Sequence, residues 1–191
     1  MILNGSHSDI PLIIKGKQLG LEVITLGNDI NSVGHKYADK HINVDYSDES
    51  AVLECAENEN IDFICSCAND FGMLTACYVA EKMNLPGHDS FEVGTLLHHK
   101  DKFKKLVKEY NLLSPNAESF DEEKKAIDYA LSEKGKIVIK PIDLGGGKGV
   151  SVVESIDEKK EAILSAFKYS KLKRVVVEDY IAGTNHLNIS Q

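Results

Sequence analysis

Short apolar runs alternate with longer amphipathic stretches along the first half of the chain, as successive β-α-β units of a parallel sheet do. Residues 1–3 predict a first strand, residues 4–9 a polar loop around Gly5, and Pro11 the first turn of a helix, where its missing N–H costs nothing. Gly20 predicts the end of that helix, because glycine takes the left-handed conformation that satisfies the last carbonyls, and residues 23–26 predict a second strand. The alternation continues with a strand at 42–44, a helix from about Glu49 that turns Ala51, Val52, Cys55 and Ala56 inward, a strand at 61–65 and a helix over 70–83. Open sheets of this kind take ligands beyond the carboxyl ends of their strands, which points to the loops at 4–9 and 66–70, although both can be plain connections.

A short helix over 91–98 leads into a basic one over 101–110, with Asp101 as its N-cap and Phe103, Leu106, Val107 and Tyr110 as its buried stripe. After Pro115 the grammar changes to strand 117–120, helix 123–132, strand 136–140, turn, strand 150–154 and helix 157–167, which packs Ala162, Ile163, Ala166 and Phe167. A valine-rich strand at 174–180 comes next, and this order predicts antiparallel pairing. Residues 184–190 alternate as a half-buried strand does and stop at Gln191 without turn or cap, which reads as a boundary set within a longer protein, or as the edge strand of a short one. The predicted fold is therefore α/β, with a Rossmann-like parallel-sheet domain over 1–95 followed by an α+β unit over 96–191.

Composition narrows the function classes. Of 191 residues, 42% are hydrophobic and 27% charged, which suits a water-soluble globular protein. A net charge of -8 speaks against a general nucleic-acid or anionic-membrane binder, so any phosphate must be held locally. Cys55, Cys65, Cys67 and Cys77 form no C-x-x-C pair and read as buried, reduced thiols, without a metal site. The longest apolar stretch near the start is too short for a signal or membrane segment, and the expected location is the cytoplasm.

The sharpest local signal is an apolar strand ending in Lys140 that runs into Gly145, Gly146, Gly147, Lys148, Gly149 and Val150 and out along another strand. Backbone without Cβ atoms can approach a polyphosphate closely and offer it N–H groups, with Lys148 adding charge at the tip. A flexible structural hairpin has the same composition. Walker A geometry fails, because Gly147-Lys148 is followed by Gly149 and a strand, and the dinucleotide fingerprint fails on both spacing and context. Lys140 needs an anionic partner to offset desolvation, which a phosphate would provide. Lys100, Lys102, Lys104, Lys105 and Lys108 read as a solvated basic face, in which Lys102 lies one position beyond the predicted cap, beside the stripe. Farther on, Glu178, Asp179, Tyr180 and Ile181 run off a buried strand whose edge can offer a C=O and an N–H to a purine, and His186 is placed either to reach a ribose or to sit on an exposed strand face.

These elements, in this order, resemble the ATP-grasp superfamily, in particular the branch containing biotin carboxylase, carbamoyl phosphate synthetase and glycinamide ribonucleotide synthetase. The resemblance implies a pre-ATP-grasp domain over 1–95, and a linker helix with the first ATP-grasp lobe over 96–191. It implies ATP phosphates on Lys102, Lys140 and the glycine-rich loop from Gly145 to Val150, adenine at Glu178 to Ile181, and ribose at His186, with Asn185 departing from the glutamate many relatives carry. It further implies an ATP- and Mg²⁺-dependent ligase that activates a carboxylate as an acyl phosphate and passes it to an amine. The magnesium ligands are then expected beyond residue 191, and this chain alone is expected to be inactive. Small-molecule acid and amine would be the partners, with the loop at 4–8 part of the acceptor site and a homodimer allowed. A non-catalytic nucleotide sensor on the same two units is the alternative, and a dinucleotide-binding oxidoreductase a third reading, disfavoured because no glycine fingerprint follows the first strand.

Overall fold

The chain begins with Ile2–Leu3 as strand β1, followed by helix α1 (Ile10–Gln18) and strand β2 (Ile24–Leu26). Where α1 ends, Gly20 takes a φ of +78°, its N–H reaches Lys17 O at 3.0 Å, and Leu21 N–H reaches Gly16 O at 3.1 Å, the left-handed cap predicted there. Strand β3 (Lys40–Ile42), helix α2 (Glu49–Asn58), strand β4 (Cys65–Ser66), helix α3 (Asp70–Met83) and helix α4 (Phe91–His98) complete a first unit, Met1–His98. The computed structural model describes residues 1–183, and a second unit begins at His99.

All four strands of the first unit are parallel, in the order β3-β2-β1-β4. Alternation of side chains sends Leu3 and Leu26 to α2 and α3, where they meet Val52, Ala56, Val79 and Ala80, and sends Ile2 to the other face against Ile13 and Val23. The chain winds outward from β1 to β3 and then returns to place β4 on the far side of β1. The topological switch therefore lies between β1 and β4. Two strands are placed differently from the sequence expectation. The third lies at 40–42 because an edge strand needs apolar residues on its packed face alone, and Ile42 meets that need by pairing with Leu26. The fourth is confined to Cys65–Ser66 because β1 offers only Ile2 and Leu3 as partners.

In the second unit, helix α5 (Lys100–Glu109) precedes β5 (Ala117–Phe120), α6 (Glu123–Ser132), β6 (Ile137–Pro141), β7 (Ser151–Val153), α7 (Ile156–Tyr169) and β8 (Val175–Asp179). Pairing is antiparallel throughout, in the order β5-β8-β6-β7. Ile137, Ile139, Val175 and Val177 point to one face and meet Ala126 and Ala130 of α6 and Ala162, Ile163, Ala166 and Phe167 of α7. Each large apolar side chain buried there contributes about 1.5–3 kcal/mol. Helix α7 starts on a capping box in which Ser155 and Glu158 exchange hydrogen bonds, and bonds from the Ser155 hydroxyl and the N–H groups of Ser155 and Glu154 hold the Glu158 carboxyl below its usual range. Among the described residues no helix is long and apolar enough to cross a membrane. All four cysteines are free, yet only Cys77 is buried; the other three are half-buried, Cys55 on helix α2, Cys65 on the edge strand β4 and Cys67 in the loop after it.

Candidate functional site

Period two along β6 and β8 turns Val138, Lys140, Val176 and Glu178 to the sheet face opposite the α6–α7 core. Lys140 pairs across the ladder with Val176, so Glu178 is its diagonal neighbour, within reach of a long side chain. Lys140 Nζ donates to Glu178 Oε2 at 2.7 Å. On the same face Lys104, reaching from α5, comes within 3.6 Å of Glu178 Oε1 and donates to Ser114 Oγ at 2.8 Å. The Glu178 side chain is 4% exposed and that of Lys140 is 25% exposed. The anionic partner that a half-buried Lys140 requires is thus supplied by the protein itself.

The strand carrying Lys140 continues into the glycine loop through a firmly held base. Ile142 is fully buried, and Asp143 accepts from Ser170 Oγ at 2.8 Å and from the Leu172 N–H at 3.0 Å. Lys100 reinforces the base twice, its N–H donating to Ile142 O at 3.2 Å and its ammonium to Leu144 O. Beyond this anchor Gly146 and Gly147 adopt φ of +63° and +76°, and a Cβ on either would meet nothing within 4 Å. Both glycines answer to backbone conformation rather than to packing, and the Lys148 and Val150 N–H groups donate within the loop, to Gly145 O at 3.4 Å and Gly147 O at 3.2 Å. Gly149 differs: its φ is +70°, and a Cβ would come 2.8 Å from Pro141. Gly145 is half-buried, while Lys148 and Val150 are exposed at the loop.

Helix α5 departs from expectation in two ways. Its N-cap is His99, not Asp101. Asp101 is buried in the first turn, where its Oδ2 accepts from Arg174 Nη2 at 2.7 Å, and the Lys100 N–H is satisfied by Ile142 O just past β6 rather than by a side-chain cap. The expected stripe is also wrong, because Phe103 and Tyr110 are exposed and only Val107 of the four is buried. Ion pairing sets the buried side instead, with Asp101, Lys104 and Val107 turned inward and Lys102 and Lys105 outward. Lys102 is thus an exposed ammonium at the start of the helix. Its neighbours Lys100 and Lys104 are built into the fold rather than belonging to a solvated face.

Glu178 and Asp179 are paired in the ladders of β8, Asp179 N–H also donating to Asn116 O at 3.0 Å. The chain leaves the sheet at Tyr180 and Ile181, both exposed, with the Lys136 ammonium 5.8 Å from the Tyr180 ring centroid. His186 and the strand expected at 184–190 lie outside the described residues. Among the described residues no group of His, Cys, Asp and Glu side chains could hold a metal ion.

The first unit offers a different kind of loop. Between β1 and α1 the N–H groups of Gly5 and Ser6 converge on Asp9 Oδ2 at 3.1 and 2.7 Å, with the Ser6 hydroxyl on the same oxygen at 2.8 Å. The protein's own buried carboxylate fills the nest that a dinucleotide phosphate would need, which weighs against the oxidoreductase reading. His7 and Ser8 remain exposed beside it. An apolar hollow of about 330 Å³ in this unit lies at the amino ends of the strands, beside Met1, Val23 and Phe63, the end opposite the one at which such sheets take ligands.

Behind the loop, His35 stacks on His41 with centroids 3.6 Å apart and bonds Thr25 Oγ1 at 2.9 Å and Asp29 O at 3.1 Å. Burial, aided by His41, pushes the His35 imidazole below its ordinary value of 6.5, against the opposing pull of Asp29 and Asp9. A lowered folded value means the unfolded chain takes the proton first, so this stability is present above 6.5 and is lost as pH falls through the folded value. His35→Gln is expected to flatten the fall in melting temperature between about pH 7.5 and about pH 5.5. An unchanged slope would show that His35 does not set this pH dependence.

Residues 98–189 match the family described as phosphoribosylglycinamide synthetase, ATP-grasp (A) domain, a span that holds Lys140, the glycine loop and Glu178. The formate-dependent phosphoribosylglycinamide formyltransferase of Methanocaldococcus jannaschii is 26% identical over 188 residues, covering 95% of this chain and 47% of that protein. The phosphoribosylamine–glycine ligase of Lactococcus lactis is 38% identical over 85 residues, 44% of this chain and 20% of the ligase. Among solved structures, the biotin carboxylase domain dimer of Hydrogenobacter thermophilus 2-oxoglutarate carboxylase, in complex with MgADP, ADP and bicarbonate, superposes with a TM-score of 0.70 at 20% identity, over 94% of this chain and 44% of that one. The chain spans less than half the length of each of these three proteins.

Proposed function

Since the chain belongs to the ATP-grasp superfamily, we propose that its second unit is the ATP-holding part of a ligase that activates a carboxylate as an acyl phosphate and joins it to an amine. One observation carries the reading: a half-buried ammonium, Lys140, stands near the end of its strand, just before a loop whose Gly146 and Gly147 have open space around them. Lys140 and the loop N–H groups would take the phosphates, with Lys148 as an exposed cation in the loop itself and Lys102 as another at the start of α5. Tyr180 and Ile181, past the last ladder pair, would offer backbone groups to adenine.

Fixed positive charge that is already in place when the γ-phosphoryl group leaves is what such chemistry needs from the protein. Magnesium would neutralise further phosphate charge, but the described residues do not form a site for it. In the first unit His7 and Ser8, at the switch between β1 and β4, would contact the acceptor substrate, since Asp9 leaves the loop N–H groups no capacity for an anion.

Calorimetric titration tests the reading. The wild type is expected to bind Mg-ATP and not NADPH, and Lys140→Ala to lose about 10- to 100-fold in ATP affinity, the worth of a charge-assisted hydrogen bond. Equal ATP affinity in the two proteins, or tight NADPH binding, would overturn it.

A further inference from the structure

Lys140 cannot attract a phosphate merely by being a lysine, because the carboxylate of Glu178 lies 2.7 Å away and a one-to-one ion pair is electrically neutral. The second ammonium changes that balance. Lys104 lies 3.6 Å from the other carboxylate oxygen, so one buried carboxylate is shared by two lysines and the group carries a net charge of +1. The carboxylate itself cannot move easily. Glu178 sits on the central part of the sheet, paired with Ala117 on one side and Val138 on the other, and it is 4% exposed. The small Ala117 side chain faces the same way as Glu178 and leaves room for Lys104 to come down from α5, where Ser114 Oγ fixes it from the other side.

Resting on the nucleotide-binding reading above, we propose that Lys104 is a positioning residue of the phosphate site. It draws the Glu178 carboxylate charge toward itself, which leaves Lys140 net positive and aimed at the incoming phosphates. Lys104 need not touch the nucleotide. Its contribution is electrostatic and passes through Glu178, whose geometry fixes where the Lys140 ammonium stands.

A charge role and a packing role for Lys104 give different results on substitution. Lys104→Met is expected to weaken ATP and ADP binding about tenfold while leaving adenosine affinity unchanged, and Lys104→Arg to restore it. Adding Glu178→Gln to Lys104→Met removes the surplus negative charge and returns the group to +1, so the double variant should regain most of the lost ATP affinity and its salt dependence. Calorimetry on the four proteins, with thermal melts to verify folding, reads this directly. Equal ATP affinity in Lys104→Met and wild type, or a double variant weaker than Lys104→Met, overturns the role of Lys104 while leaving the nucleotide reading intact. Absence of ATP binding by the wild type overturns the nucleotide reading, and this inference with it.

Discussion

Asp143→Ala should destabilise the second unit by about 3 kcal/mol, because it leaves the buried Ser170 hydroxyl and the part-buried Leu172 N–H without their acceptor. The carboxylate is 2% exposed and accepts from the Ser170 hydroxyl at 2.8 Å and the Leu172 N–H at 3.0 Å. Ser170 Oγ in turn accepts from the Arg174 N–H at 3.1 Å, and the Arg174 side chain holds Asp101. One side chain therefore ties the base of the glycine loop to the turn that feeds β8 and, through Arg174, to the first turn of α5. Because the protein has two units, the effect is best read from hydrogen exchange of the β6 and β8 amides, which reports this unit by itself. Asp143→Asn, which keeps one acceptor oxygen, should lose less. A loss under about 1 kcal/mol in the alanine variant would show that the network is a solvent-replaceable contact.

In the first unit the largest effect is expected for Gly5→Ala. Gly5 has a φ of +133°, a region open in practice to glycine alone, and an added Cβ would lie 2.2 Å from Cε1 and 2.4 Å from Nδ1 of His35. The imidazole has no room to retreat, being bonded to Thr25 and Asp29 and stacked on His41. Strain and displacement together should cost about 3 kcal/mol or more. Gly20→Ala separates the two causes, since Gly20 also has a positive φ but nothing lies within 4 Å of its Cβ position. That variant should cost about 1 kcal/mol. Equal exchange protection of β1 and β2 in Gly5→Ala and Gly20→Ala would contradict the crowding at His35.

Helices α3 and α6 and strand β5 fall at the residues the sequence predicts, because their caps, periodicity and turn signals agree. Strand β4 is shorter than its apolar run suggests, because the partner sets the pairing length and a two-residue β1 is invisible from within 61–65. On α5 the apolar pattern points to the wrong side. Asp101 and Lys104 decide that face through ion pairs with Arg174 and Glu178, far along the chain, and no local period reports them. The glycine loop and Lys140 are legible in the sequence because a run of glycines directly after an apolar strand that ends in a lysine stands out in composition. The partner of Lys140 is not, since Glu178 reads equally well as the start of an adenine-binding edge. Asp143 carries a faint signal, a lone acid between buried Ile142 and the first glycine, that only the fold makes meaningful.

Mapping backbone amide shifts on titration with Mg-ATP probes nucleotide binding by the second unit most directly. Changes should concentrate at Lys140, the glycine loop from Gly145 to Val150, and Glu178 to Ile181, with the Gly5 and Ser6 amides unmoved because Asp9 already occupies them. Shifts centred on residues 4–9, with the glycine loop silent, would contradict this assignment and return the nucleotide to the first unit.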